Sequence, residues 1–384
     1  MSQVLAATFV AKLSLTGFRN YQNLKLESDG RPIVLLGVNG VGKTNVLEGL
    51  SFLSAGKGMR SAPLMEVGLN LRNCLEGAPW AVSAEVKNIF GSVRLGTGFN
   101  AQESARRSAK INGKNVKSPV SFAEHLGVVW LTPAMDRIFL DAPSERRRFL
   151  DRMVAAFDPG QVSRLFAYEQ AARRWGKLFR DGVSDVQWYE SLEDMLVRYG
   201  VAIAAARRHL LAQLNGVLLE AEGPFPNAIM GIDGAIDRWL DTCSALDAED
   251  HFREGLAQKR REFLRGGNVP VLDGPNRSDL LVAMNINRRP AHQCSTGEQK
   301  ALLLSIVLAY IKLQTTKLRC SPLLLFDEAA AHLDKDRRNY LFERVIGSGA
   351  QAWFTGTDHS VFSGLKDVAQ FLLVKDNSVV PFAF

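Results

Sequence analysis

Along this chain the spacing of apolar residues changes period several times, and each change marks a structural boundary. Between residues 9 and 28 apolar and polar positions alternate through Val10, Leu13, Leu15, Leu24 and Leu26. That period predicts two strands joined by the turn Gly17-Phe18-Arg19-Asn20-Tyr21. Ile33 to Leu36, with Val38 beyond a glycine, is an unbroken apolar run, as expected of a strand buried on both faces. Residues 80–99 read as two more strands around a turn at Asn88 to Gly91, and Lys110 to Val116 as a hairpin on the pair Asn112-Gly113. Val128 to Pro133 is a short apolar strand stopped by its proline.

From Ser144 to about Glu222 the period lengthens to that of helices. Trp188, Leu192, Met195, Leu196, Tyr199, Ile203, Leu210, Leu214 and Leu218 mark one apolar face of a long helix, a core-packing stripe. Breaks at Gly200 and Ala206 argue against a long coiled coil. Gly223-Pro-Phe-Pro226 opens a loop-rich portion. Residues 301–314 form a buried apolar helix, whose run Ala301 to Ile311, bracketed by Lys300 and Lys312, is too short to span a bilayer. Leu323 to Phe326 is a second doubly buried strand.

Chemistry sits at the ends of the two doubly buried strands. After the first, Gly37, Val38, Asn39, Gly40, Val41, Gly42, Lys43 and Thr44 fill the pattern G-x-x-x-x-G-K-[ST], and Asn45 opens a helical segment. Glycines let the backbone curl so that its N–H groups face phosphate oxygens, and the helix N-terminus favours the anion. Lys43 is placed to reach the β- and γ-phosphates and Thr44 to ligate magnesium. The competing reading is a bare glycine-rich turn, which the strand before it and the helix after it disfavour. The second strand ends in Asp327 and Glu328. Asp327 is expected to hold magnesium and Glu328 to orient or deprotonate the attacking water.

The chain has 384 residues, enough for two lobes, with 46% apolar and 23% charged positions. Its net charge of +7 is modest, but it is unevenly spread. Between Asp141 and Arg180 nine Arg or Lys face five acids, beginning with Arg146, Arg147 and Arg148. A second basic run, Lys259-Arg260-Arg261 with Arg265, lies in the same portion, so the two together point to polyanion contact as well as to solvated helix faces. Lys57 and Arg60, in the small-residue stretch Ser54 to Pro63, are candidate phosphate contacts, with a mobile surface loop as the other reading. Arg19, a handful of residues before the phosphate loop, could lie near the nucleotide, but the favoured reading is an exposed turn arginine. The four cysteines, Cys74, Cys243, Cys294 and Cys320, have no metal-ligand spacing and are expected to be reduced thiols. With no secretory pattern at the N-terminus, a soluble cytoplasmic protein without membrane contact is expected.

One further motif connects these parts. Cys294-Ser-Thr-Gly-Glu-Gln-Lys300 stands directly before the apolar helix, where a simple N-cap is also expected. The residues Ser295, Thr296, Gly297 and Glu298 resemble the signature motif of ATP-binding-cassette ATPases, and Ala331-His-Leu-Asp334 resembles that family's D-loop with Asp334. The distance between phosphate loop and acidic pair is too great for one α/β lobe and leaves room for an insertion, as in the SMC-like branch. Within that branch the chain is similar to the RecF family through Leu15 to Tyr21, Arg146-Arg-Arg-Phe-Leu-Asp151, Gly274-Pro-Asn-Arg-Ser-Asp-Leu280 and Thr355-Gly-Thr-Asp358. It departs from the family in carrying Asn276 and Ser278 where His and Asp are usual, and Glu298 where Gln is frequent. The position of the usual switch histidine is Thr357, with His359 two residues on.

The resemblance implies an α/β fold: an ABC-type P-loop ATPase head from residues 1–140 and 275–384, with a mostly α-helical arm at 141–274. It implies an ATP- and magnesium-dependent DNA-binding protein of repair and replication, with a weak DNA-dependent ATPase. Two copies would close on ATP, each offering its Ser295 segment to the other's phosphate loop, at double-stranded and gapped DNA. It further implies RecR and RecO as partners in loading recombinase. The alternative is the ATPase subunit of an ABC membrane transporter, which lacks the Arg146 to Asp151 run.

Overall fold

The computed structural model describes residues 8–69, 77–88, 90–318, 321–331 and 333–383. Cys74, Cys320 and His332 lie outside them. In chain order the elements are β1 (Phe9–Phe18), β2 (Tyr21–Glu27), β3 (Ile33–Leu36), α1 (Lys43–Ser51), β4 (Trp80–Asn88), β5 (Gly91–Phe99), β6 (Ser108–Ile111), β7 (Lys114–Asn115) and β8 (Val128–Leu131). There follow α2 (Pro143–Phe157), α3 (Gly160–Arg180), α4 (Val186–Leu219), β9 (Ala228–Asp233), α5 (Ala235–Thr242), α6 (Ala245–Leu264) and β10 (Asp279–Met284). The chain closes with α7 (Thr296–Leu318), β11 (Leu323–Phe326), α8 (Lys335–Gly347), β12 (Ala352–Gly356), β13 (Gln370–Lys375) and β14 (Ser378–Pro381).

The chain divides into two compact units. The first comprises residues 1–136, 222–225 and 310–384. It holds two six-stranded sheets, one ordered β2-β1-β4-β5-β6-β7 and antiparallel, the other β14-β13-β3-β12-β11-β8. In the second sheet all pairings are parallel except β13 with β14. All four residues of β3 and of β11 are buried, because each strand is covered on both faces. The antiparallel sheet instead alternates, with Leu13, Leu15, Val82, Ala84 and Leu95 turned into a core shared with Val46, Leu47 and Leu50 of α1. Each buried Leu or Val among them contributes about 1.5–3 kcal/mol by leaving water.

The second unit comprises residues 137–221 and 226–309. Helices α3, α4 and α6 pack around Tyr168, Trp175, Phe179, Tyr189, Leu196 and Phe252. The apolar stripe expected on the long helix is buried at Leu192, Leu196, Ile203, Leu210, Leu214 and Leu218, while Trp188 at its start is 64% exposed. Gly200 marks a close approach of α4 to its neighbours, since a Cβ there would meet Phe252 at 3.0 Å.

The division differs from the expected boundaries at its later end. Residues 275–309 fold with the helical unit because β10 pairs antiparallel with β9, from Asp279 opposite Asp233 to Met284 opposite Ala228, and α2 packs on β10. The helix containing the apolar run is also longer than that run. At 23 residues α7 is long and apolar enough to cross a membrane, but Leu302, Leu303, Leu304 and Ile306 are fully buried, as in a core helix.

Candidate functional site

Parallel pairing sets the depth at which the functional residues emerge. Leu36 of β3 lies opposite Gly356 of β12, and Phe326 of β11 opposite Phe354. The phosphate loop after β3, Thr355 on β12 and the acids after β11 therefore meet at one carboxyl edge of the sheet, where ligands of open α/β sheets bind.

Gly42 is the tightest point of the loop. It has φ +114°, and a Cβ there would come within 2.5 Å of Asn20 Nδ2 and 2.7 Å of the Tyr21 hydroxyl. Those two residues form the back wall. Tyr21 donates to the Gly42 carbonyl at 3.1 Å, and Asn20 donates to the Val41 carbonyl at 3.2 Å and accepts from Asn45 Nδ2 at 2.7 Å. Burial pushes the Tyr21 hydroxyl up to about 12, so it stays a donor. Val38, Asn39 and Gly40 are exposed at the crest. Lys43 is buried, and its ammonium donates to the carbonyls of Gly37 at 2.7 Å and Val38 at 2.9 Å. Burial lowers its proton affinity, while Glu328 and then Asp327 oppose that shift.

Behind the loop, a chain of hydroxyls and carboxylates links the two strand ends. The Thr44 hydroxyl donates to Asp327 Oδ1 at 2.8 Å, and the Thr355 hydroxyl donates to the same oxygen at 2.8 Å. Thr355 Oγ1 in turn accepts the Glu328 N–H at 2.9 Å. Glu328 stands at φ +51°, a left-handed backbone that costs a non-glycine residue about 1 kcal/mol or more. Thr355 opens the Thr355 to Asp358 motif, but its place between the two acids has no sequence signal.

Most of the basic residues singled out above are held in ion pairs. Arg19, with φ +54°, is no exposed turn arginine: it binds the fully buried Glu48 of α1 at 2.8 and 2.5 Å. Arg60 binds the same carboxylate at 2.9 Å and Asn45 at 2.7 Å, which anchors its loop to the phosphate-loop helix. Lys57 is exposed. In the second unit Arg146 is bidentate on Asp279 at 2.7 and 2.8 Å and donates to the Asp141 carbonyl at 2.6 Å. Arg147 donates to the Ser278 carbonyl at 2.7 Å. Both clamp the start of β10 from half-buried positions; Arg148, paired with Glu145 on the surface, is 61% exposed. Lys259 and Arg260 likewise pair with Asp273, Glu190 and Glu193.

The remaining motifs lie at helix starts. Ser295, Thr296 and Gly297 are exposed where α7 begins. Asp334 caps α8 by accepting the Arg337 N–H at 2.9 Å. Thr357 and His359 are both exposed beyond β12, and it is Thr355 that touches the acids. The two departures in Gly274 to Ser278 each find a partner: Asn276 accepts from the Tyr168 hydroxyl at 2.9 Å, and Ser278 donates to Asp237 at 2.6 Å.

A phosphate loop on a central parallel strand, an acidic pair two strands away and an exposed signature segment define a P-loop ATPase of the ATP-binding-cassette type. The family model for the RecF/RecN/SMC N-terminal domain matches residues 9–378. The DNA replication and repair protein RecF of Allorhizobium ampelinum is 42% identical over 372 residues, covering 96% of this chain and 98% of that relative. Structures of the recombination mediator protein RecF superimpose with TM-scores of 0.83 (RecF-ATPrS) and 0.81 (RecF-ATP), at 21% identity and with 98% of this chain covered. They cover 99% and 100% of those chains. The chain belongs to the RecF family.

Proposed function

We propose that this chain is an ATP-dependent DNA-binding protein of recombinational repair, whose two copies close on ATP at single-strand/double-strand gaps and reopen on hydrolysis. The observation that carries this reading is the continuous contact from Thr44 through Asp327 and Thr355 to the Glu328 backbone. It couples the residue that grips the nucleotide to the residue that would cleave it.

In this reading the loop N–H groups and Lys43 hold the phosphates of ATP, with the ammonium exchanging loop carbonyls for phosphate oxygens. Thr44 Oγ1 and Asp327 Oδ1 are hard oxygen donors 2.8 Å apart, a donor set that suits magnesium. Bound there, the ion would neutralise developing phosphate charge. Glu328 takes the proton of the attacking water, and its backbone is aimed by Thr355. Ser295, Thr296 and Gly297 of a second copy cover the γ-phosphate, with Asp334 beside that junction. Lys57 and Arg148, together with the exposed Arg173, Arg174 and Arg180 of α3, contact DNA phosphates, so binding is salt-sensitive and largely sequence-independent. RecR and RecO are the expected partners in loading recombinase, in the cytoplasm. Family membership disfavours the transporter-subunit alternative.

Sedimentation and ATPase rate with and without gapped duplex DNA test the proposal together. ATP-dependent dimers and a DNA-stimulated rate are expected; a chain that hydrolyses ATP as a monomer, indifferent to DNA, overturns it.

A further inference from the structure

The signature segment is a capping box, in which the Glu298 N–H donates to Ser295 Oγ at 3.4 Å, and Arg289 adds a contact that capping does not require. The backbone N–H and the hydroxyl of Ser295 both donate to Glu298 Oε2, at 2.8 and 2.9 Å. The other Glu298 oxygen accepts from the Arg289 guanidinium, which also reaches the Met284 sulfur at 3.4 Å. Arg289 Nε is buried without a hydrogen-bond partner, so the guanidinium meets Glu298 through its terminal nitrogen alone. The Ser295 donors, and then Arg289, hold the Glu298 carboxyl below its ordinary value, so it is ionised at neutral pH.

A serine hydroxyl has one proton to give. While Glu298 receives it, a phosphate cannot, and an ionised carboxylate beside the exposed Ser295 to Gly297 surface repels an incoming triphosphate. We infer that Arg289 is a positioning residue for the half-site that each copy of this chain offers to the other's ATP. Its guanidinium cancels the Glu298 charge, so that the Ser295 hydroxyl can turn from the carboxylate to a γ-phosphate oxygen. The inference rests on the composite-site reading proposed above.

Sedimentation of the full chain with a non-hydrolysable ATP analogue and magnesium, at low and high salt, tests it. Arg289→Ala weakens ATP-dependent dimerisation about tenfold, whereas Arg289→Lys, which keeps the charge, stays within about threefold of the native chain. Glu298→Gln in the Arg289→Ala background removes the stranded carboxylate and restores dimerisation to within about threefold. A cap that is only structural gives no such rescue, because glutamine caps as well with or without Arg289. Arg289→Ala dimerising like the native chain, or an unrescued double variant with an unchanged melting temperature, overturns the inference. A native chain that binds ATP but stays monomeric removes the composite-site reading itself.

Discussion

The Thr44 hydroxyl donates to Asp327 Oδ1 at 2.8 Å across 283 residues of sequence. Neither residue can be placed by its neighbours in the chain; the pairing of β3 and β11 on either side of β12 brings them together. If that pair is the magnesium seat, Asp327→Asn keeps the shape and the hydrogen bond to Thr44 but loses the charge. The turnover rate should fall about 100-fold, equivalent to the few kcal/mol that metal-held charge supplies. Titrating magnesium against ATPase rate should show a raised requirement, and an unchanged magnesium dependence places the ion elsewhere.

Glu328→Gln retains the left-handed backbone and removes the base. Hydrolysis should drop by about 10²–10⁴-fold while nucleotide binding persists. Because the reading couples hydrolysis to dimer opening, the variant should accumulate as an ATP-bound dimer on gapped DNA, seen by sedimentation. A monomer saturated with ATP contradicts it.

Thr355 separates support from chemistry. Thr355→Val leaves the Glu328 N–H without its acceptor and removes one of the two donors to Asp327 Oδ1, where an unpaired group costs about 1–3 kcal/mol when buried. Both the melting temperature and kcat should fall, and Thr355→Ser, which restores the hydroxyl, should recover kcat. If Val and Ser variants turn over alike, the hydroxyl has no part in aiming Glu328.

The phosphate loop, the acidic pair and the signature segment were legible because each is a contiguous string whose chemistry depends on local spacing. Strands β1 to β8, β11 and the long helix were legible through their periods. The role of Thr355 was not, since a threonine at the end of a strand has no pattern to announce a partner across the sheet. Nor was the fate of the basic run. Arg146 is a cation in any reading of residues 146–148, but its partner Asp279 lies 133 positions away. The place of residues 275–309 beside the helices was hidden for the same reason, because the β9–β10 pairing is non-local.

That distinction between Arg146 and Arg148 is measurable. Arg146→Ala breaks a bidentate, largely buried ion pair and should lower stability to urea by about 1–3 kcal/mol. DNA affinity at temperatures where the variant stays folded should be little changed. Arg148→Glu should leave stability nearly unchanged and weaken DNA binding, with the slope of log affinity against log salt reduced by about 1. The reverse pattern would return Arg146 to the DNA surface.

Asp237 gives the helical unit a pH signature. It is fully buried, Ser278 donates to its Oδ2 at 2.6 Å, and its Oδ1 has no partner. Burial pushes its carboxyl up, with Ser278, Arg207 and Arg208 pulling it part of the way back. A carboxyl whose folded value exceeds its unfolded value binds its proton more tightly when folded. Its favourable contribution is therefore complete below the ordinary carboxylate value of about 3.9 and is lost as pH rises through the raised folded value. Asp237→Asn keeps the side-chain shape and cannot ionise. Urea unfolding of both chains across that range should show the variant gaining on the native protein as pH rises, with the difference levelling once Asp237 is fully ionised. A difference that stays flat with pH would mean that Arg207 and Arg208 fully compensate the buried charge.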